Sequence, residues 1–534
     1  MESQTRSDTL DPASAAPRSS IVLAVTAAAV VLGGLKRLTF PGSIDFPLGE
    51  GGLFVLFSEA IRAAGFALPS TVTFGGQVLP FAYPPAGFYL AALAAEVSGA
   101  DLLTIYHVVP RVLNLLAIPI FCVFAARLTR NTIVFAAASV FYALMPDSLV
   151  WQITGGGMPR ALAALSALGA LAAAVPLSEG RRDGRLVLGT GLLVGLAILS
   201  HIEWGLFAAL GVTLLVGLRL PERRVAVLLP AIGTVSFFVI LPWLALVLAR
   251  HGLAPFLSSM TGSDWSLGQS ARRVLGASIF ASTLTIPAFV GALRLLRARD
   301  TFLPLWLPIV FLSTPRMAQS SGLAIPTALL AGYGILTIAE LGGAARSGTL
   351  WRRLPGPIGR IGPVAAVAIA AGLFFSATLV SKAQWWFTGR EQVEQVDRAT
   401  RDAMAWIKVH TPAGSRFAVV TPAPFWFFDR IAEWFPYLTG RESLTTAQAL
   451  EWAGPGVFTA RLDEIRQLKA VQFSAAALLP TYKDVCRADH VAVFLPMADE
   501  VTRAFARSGR YEVLHATAAA TVLRRTEPCP AEGG

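Results

Sequence analysis

The chain has 534 residues, of which 54% are hydrophobic and 14% charged, with a mean hydropathy of +0.60. Soluble domains carry about 25% charged residues, so these values exclude a soluble globular protein and indicate a polytopic membrane protein. The formal charge of +11 does not point to nucleic acid, because residues 1–381 hold 26 Lys/Arg against 16 Asp/Glu while residues 382–534 hold 18 against 17.

In chain order, residues 1–19 are polar, carry Pro12 and Pro17, and read as a disordered cytoplasmic N-terminus. Ser20 to Leu35 is an uninterrupted apolar run with no small-residue cleavage site after it, and reads as a retained first span rather than a signal peptide. Apolar runs long enough to cross a bilayer core predict spans at 20–36, 103–127, 131–149, 157–177, 186–200, 203–219, 225–249, 274–293, 301–315, 320–341 and 361–381. That is about eleven, or thirteen if the shorter segments 50–66 and 84–99 also cross. Both are bounded by Gly or Pro, and the first carries Glu59 and Arg62; they are expected to lie in the outer membrane interface.

Arginines gather in every second loop: Arg127/Arg130, Arg181/Arg182/Arg185, Arg219/Arg223/Arg224, Arg294/Arg297/Arg299 and Arg346/Arg352/Arg353/Arg360. Positive loops stay in the cytoplasm, which predicts a plasma-membrane protein with its N-terminus inside. The loop 37–102, the segments Asp147–Pro159, His201–Glu203, Arg250–Arg273 and Thr314–Arg316, and everything after 382 would then lie outside. The predicted organisation is a transmembrane domain over 20–381 followed by a soluble extracytoplasmic domain over 382–534.

In that tail, Glu391 to His410 has helical spacing of Val393, Val396, Ala403, Met404 and Ile407, with Thr411-Pro-Ala-Gly as its stop. Strands are expected at 417–420, 490–494, 511–514 and 520–524, and helices at 459–468 and 501–508, which together make a small α/β domain. The aromatic clusters Trp426-Phe-Phe and Glu433-Trp-Phe-Pro-Tyr437 read as core or interface, with a sugar-stacking surface as the alternative. Three cysteines are too few for a disulfide framework; Cys122 falls in a span, and whether Cys486 and Cys529 pair is left open by spacing alone.

Charge near membrane level is expensive and marks candidate functional groups. Asp45, in Ser43-Ile-Asp-Phe-Pro, is the candidate general base, on the premise that a desolvated boundary raises its pKa; a turn or capping role is the alternative. Glu50 precedes Gly51-Gly52 at a helix start, where an acid suits the helix dipole as well as a substrate. Tyr83-Pro84-Pro85 closes the same loop. Asp147, after Met145-Pro146, is the second candidate catalytic acid, or ordinary turn chemistry. Arg160, after Gly155-Gly-Gly-Met-Pro, can present a planar fork to phosphate. His201 and Glu203 are candidate substrate contacts, but a spacing of two does not put both on one helix face, so a metal pair is not expected. Arg316 is a candidate lipid-phosphate partner or a snorkelling cation. His107 and Arg111, four apart within a span, are expected to satisfy one another. No cofactor is indicated: the basic loops hold no Gly-rich phosphate loop, and a divalent cation is compatible with the acids but not favoured.

At these residues the chain resembles the GT-C superfamily of polyprenyl-phosphate-sugar-dependent membrane glycosyltransferases, relatives of which include protein mannosyltransferases, aminoarabinose transferases and oligosaccharyltransferases. The resemblance lies in Asp45 soon after the first span, in 50–66 and 84–99, in Tyr83-Pro84-Pro85, and in Asp147 in the next outer loop; the segments Trp406-Ile-Lys…Thr411-Pro and Glu433-Trp-Phe-Pro…Thr439-Gly-Arg look like the tail of uncharacterised bacterial members. No Asp-X-Asp pair stands in the second loop, where oligosaccharyltransferases carry metal-binding acids. The resemblance implies a polytopic helical GT-C fold. It also implies transfer of a sugar from a polyprenyl-phosphate carrier to an extracytoplasmic glycan, lipid or protein acceptor by inverting displacement. A transporter or lipid flippase, or a GT-C scaffold without catalysis, are the alternatives; the hydropathy shows no repeated halves or paired broken spans of the transporter kind. The Ala-rich, Lys-poor composition suggests a high-GC bacterium.

Overall fold

The computed structural model describes residues 17–39, 45–154, 156–261, 284–313, 322–347, 394–423, 426, 429–454, 456–472, 487–494, 498–507 and 509–527. Arg316, Cys486, Cys529, the expected span 361–381 and most of the N-terminal segment lie outside these residues.

Apolar composition over long stretches gives helices α1 (Ser19–Thr39), α4 (Leu102–Thr129), α7 (Met158–Ser178) and α10 (Glu222–His251). All four are long and apolar enough to cross a membrane. Shorter apolar helices α8 (Gly184–Ser200), α9 (Ile202–Gly217), α13 (Phe302–Ser313) and α14 (Ala324–Ser347) pack with them, as does α12 (Thr285–Arg297). Their shared core includes Phe121 stacked on Tyr142 at 4.1 Å and a buried Trp306 stacked on Phe302 at 5.3 Å.

One expected span is not a continuous helix. α5 (Thr132–Leu144) stops at Met145, because Pro146 lacks a backbone donor and disfavours helix before it. A 3-10 turn (Pro146–Ser148) and the short α6 (Val150–Ile153) then leave at 74°. The bend is tied from inside by Arg37, which is fully buried. Its guanidinium donates to Asn114 Oδ1 (2.6 Å), the Ala143 carbonyl (2.6 Å) and Ser148 Oγ (3.0 Å).

The segment after α1 folds as α2 (Gly52–Ala63), a hairpin of β1 (Thr71–Phe74) and β2 (Gln77–Pro80) turning at Gly75-Gly76, and α3 (Ala86–Ser98). Helices form within both 50–66 and 84–99; the hairpin between them was not expected. The apolar face of α2 (Leu53, Phe57 and Ile61) packs against Phe81 and Phe88 and, from the tail, Leu450 and Phe458. Alternation alone could not show that α2 would be covered by a segment almost 400 residues later.

The tail holds α15 (Arg398–His410), β3 (Arg416–Val420), α16 (Arg430–Thr439), β4 (Glu442–Ser443), a 3-10 turn (Leu450–Trp452), α17 (Val457–Gln472), β5 (His490–Phe494), α18 (Ala498–Arg507), β6 (Tyr511–Ala516) and β7 (Ala520–Arg525). Its sheet runs β4-β3-β5-β7-β6, with β4, β3 and β5 parallel and β7 antiparallel to β5 and β6. Helix α15 begins later than its apolar spacing predicts: Asp397 caps it by accepting the Thr400 N–H at 2.9 Å, and 394–397 are not helical. Val396 is buried from this extended stretch instead.

Candidate active site

Three pieces of irregular backbone meet at the N-terminal ends of α2, α7 and α9. The first is 45–51. Leu48 forms isolated bridges with Thr154 on one side and Gln395 on the other, and the Gly49 N–H donates to the Glu394 carbonyl at 2.8 Å. The second is the glycine turn before α7, where Gly156 (φ 60°) sits against Phe54; a Cβ there would lie 2.3 Å from Phe54 Cδ2. Close packing, and not only anion binding or flexibility, therefore accounts for a glycine at 156. The third is His201, which precedes the first turn of α9.

Arg160, in the first turn of α7, is buried; it donates to the Thr154 carbonyl at 2.8 Å and lies over the Trp151 ring at 3.9 Å. Glu50 and Glu203 act on it electrostatically, as does Tyr83. Glu50 is half-accessible by area, yet enclosed by protein; burial raises its carboxyl pKa, opposed by the Arg160 charge. Burial also raises the Tyr83 phenol, which feels Arg160, Glu203, Glu451 and Glu50. The Tyr83 ring contacts His201 at 6.4 Å, Phe54 at 5.5 Å and Trp452 of the tail at 5.6 Å. Five residues singled out in the sequence (Glu50, Tyr83, Arg160, His201 and Glu203) are thus brought together.

Asp45 is placed elsewhere. Its side chain is 61% exposed and paired with Arg401 at 2.6 Å, and this bond, the first of its causes, holds the carboxyl below its ordinary value. The premise that burial would raise it is corrected. Glu50 likewise does not cap α2: the N-cap is Gly51, and the capping carboxylate comes from Glu433 of the tail, which accepts the N–H groups of Gly51 (2.8 Å), Gly52 (3.0 Å) and Leu53 (3.0 Å). Asp147 lies in the 3-10 turn after α5, exposed by area yet enclosed by protein, with the Lys36 charge acting on it, and is not among the groups acting on Glu50, Arg160 or Tyr83. His107 and Arg111 do bond to one another, with Arg111 Nη1 3.0 Å from His107 Nδ1. Trp434 is fully buried and donates to the Gly49 carbonyl at 2.8 Å, the core reading of that aromatic cluster.

Sequence did not single out Glu451 and Trp452. Among the described residues no cluster of three or more His, Cys, Asp or Glu could hold a metal ion. A cavity of about 650 Å3 lies at the far ends of α4 and α7, lined by Arg127, Arg130 and Arg181 among others, remote from this cluster.

The fold is similar to those of solved glycosyltransferases of the GT-C class. The oligosaccharyltransferase AglB from Archaeoglobus fulgidus, in complex with an inhibitory peptide and a dolichol-phosphate, superposes with a TM-score of 0.55 at 14% identity, covering 96% of this chain and 75% of that one. ArnT from Cupriavidus metallidurans bound to undecaprenyl phosphate gives 0.52 at 15% identity, covering 95% and 98%. The arabinofuranosyltransferase AftD from Mycobacteria gives 0.54 at 17%, covering 96% of this chain but 40% of that one. No family model and no curated protein matches the sequence.

Proposed function

We propose that the chain is a membrane glycosyltransferase that moves a sugar from a polyprenyl-phosphate carrier to an extracytoplasmic acceptor. The observation that carries this reading is the enclosed grouping of Glu50, Arg160 and Tyr83 on a fold shared with proteins solved with dolichol-phosphate and undecaprenyl phosphate. Glu50 takes the proton from an acceptor hydroxyl, and its raised pKa makes it a stronger base than an exposed acid. The acceptor oxygen then bonds to the anomeric carbon as the bond from that carbon to the phosphate oxygen breaks, with inversion. The phosphate leaves with the electron pair, and Arg160 stabilises its charge through a planar fork. Tyr83, His201 and Glu203 hold sugar hydroxyls. Asp45 is the competing base and Asp147 a contact for the acceptor. Arg316 remains the second candidate cation for the lipid phosphate.

The test is transfer of radiolabelled sugar from a panel of polyprenyl-phosphate donors, using membranes with equal amounts of wild type, Glu50→Gln and Asp45→Asn. Wild type is expected to label an acceptor. Glu50→Gln should lose on the order of 100-fold or more, and Asp45→Asn should stay within a few fold. Loss in Asp45→Asn alone would move the base to Asp45. No transfer by wild type from any donor would overturn the enzyme reading.

A further inference from the structure

Helix α2 begins two residues after Glu50, and its first N–H groups need acceptors that the helix itself cannot supply. Its own N-cap, Gly51, has no side chain to offer. The acceptors come instead from Glu433, 382 residues later, whose two oxygens take all three N–H groups of Gly51, Gly52 and Leu53 at 2.8 to 3.0 Å. The carboxylate is 2% exposed. Trp434 beside it donates to the Gly49 carbonyl at 2.8 Å, so the backbone is gripped on both sides of Glu50 by consecutive residues of one tail helix. A Cβ at Gly51 would lie 2.9 Å from the Trp434 ring, so the approach is as close as glycine allows.

We infer that Glu433 is a positioning residue for Glu50: the tail holds the loop that carries this carboxylate in place. This rests on the reading of Glu50 as the base. Beside burial, the Glu50 charge acts on Glu433, so the two side chains are neighbours. Other charged groups around α16 are engaged elsewhere. Arg430 pairs with Glu394 at 2.6 Å, and Tyr437 donates to Glu59 at 2.6 Å. Asp429 caps α16 through the Ala432 N–H at 3.1 Å. From α15, Arg401 pairs with Asp45, and Arg441 before β4 bonds the Thr411 hydroxyl at 3.0 Å. Glu50 is therefore the ionisable group through which Glu433 acts.

Two measurements on the solubilised full-length protein test this, with Glu433→Gln and Glu433→Ala. The first is amide hydrogen exchange. Gly52 and Leu53 are expected to exchange faster in both variants while the sheet strands β3 and β5 keep wild-type protection; unchanged exchange at 51–55 overturns the proposal. The second is the pH profile of transfer. Burial holds the Glu50 carboxyl above its ordinary value, so releasing the loop that encloses it should move the acidic limb of both variants to lower pH than in wild type. Faster exchange with an unmoved limb would leave Glu433 a fold-stabilising cap only and overturn its link to Glu50. If wild type transfers no sugar, the function proposed above fails, and the variants are then read by following the Glu50 carboxyl titration directly, by infrared difference against Glu50→Gln. The same shift to lower pH is expected there, and its absence overturns the inference.

Discussion

Arg37 and Asn114, 77 residues apart, are joined by a 2.6 Å hydrogen bond from Nε to Oδ1 among apolar helices. Asn114 passes the connection on, donating to the Ser148 carbonyl at 2.8 Å and to Gln152. One cation thereby ties the bend that Pro146 opens, from which the chain turns toward Trp151, over which Arg160 lies. Replacing Arg37 by Ala would strand Asn114, Ser148 and the Ala143 carbonyl without their charged donor. Hydrogen bonds to charged groups contribute about 1.5–3 kcal/mol each, and buried partners left unmade cost more. The variant is expected to lose roughly 3 kcal/mol or more, seen as a marked fall in thermal midpoint in detergent. Arg37→Lys should not rescue it, since an ammonium cannot bridge three acceptors in a fixed fork; a lysine variant of wild-type stability would sink this account.

Glu433 makes stability depend on pH. Burial, then the Glu50 charge, push its carboxyl from 4.5 up to about 7 against three backbone N–H bonds. Between those values the folded state holds a proton that the unfolded chain has released, so stability falls as pH rises through that window and is flat above it. The slope is on the order of 1 kcal/mol per pH unit at its steepest. Thermal midpoints from pH 5 to 8 should decline for wild type relative to Glu433→Gln; parallel curves would show that Glu433 titrates normally.

Gly156→Ala is expected to damage the site without touching an ionisable group. Alanine is strained at φ 60°, and its methyl would meet Phe54, whose ring packs on Tyr83 and Phe88. The cost is about 1–3 kcal/mol, as for other overpacked positions. Phe54→Ala should relieve part of it, so a double-mutant cycle on stability ought to show a favourable coupling. Additive losses would mean that the two residues do not meet.

The apolar helices and several strands and helices after 390 were legible because hydropathy runs and alternation are local signals. What was not legible arises between distant segments. Glu433 reads as one more acid in an aromatic cluster, since nothing local says that its oxygens face N–H groups at Gly51 to Leu53. Glu451 and Trp452 reach Tyr83 by a turn whose preceding residue, Ala449, adopts φ 73° despite its Cβ, which no propensity predicts. Asp45 and Glu50 look alike in sequence, five residues apart, and only the fold gives one to Arg401 and the other to Arg160. Arg37 did leave a sequence trace: with Lys36 it is a basic pair at the end of the first span that the arginine pattern places outside, and a cation against that pattern marks a buried role.

The exposed pair of Asp45 and Arg401 offers a way to tell the two loop acids apart without removing either. Exposed ion pairs contribute about 0.2–1 kcal/mol, so Arg401→Ala should barely move the thermal midpoint. It would, however, free Asp45 from the bond that holds its carboxyl low, letting that pKa rise toward its ordinary value. If Asp45 were the base, the acidic limb of the transfer profile would move to higher pH in this variant. With Glu50 as the base, enclosed beside Arg160 and not bonded to Arg401, the limb should stay where it is. A limb that follows Arg401 would return the chemistry to Asp45 and leave Glu50 a buried partner for Arg160.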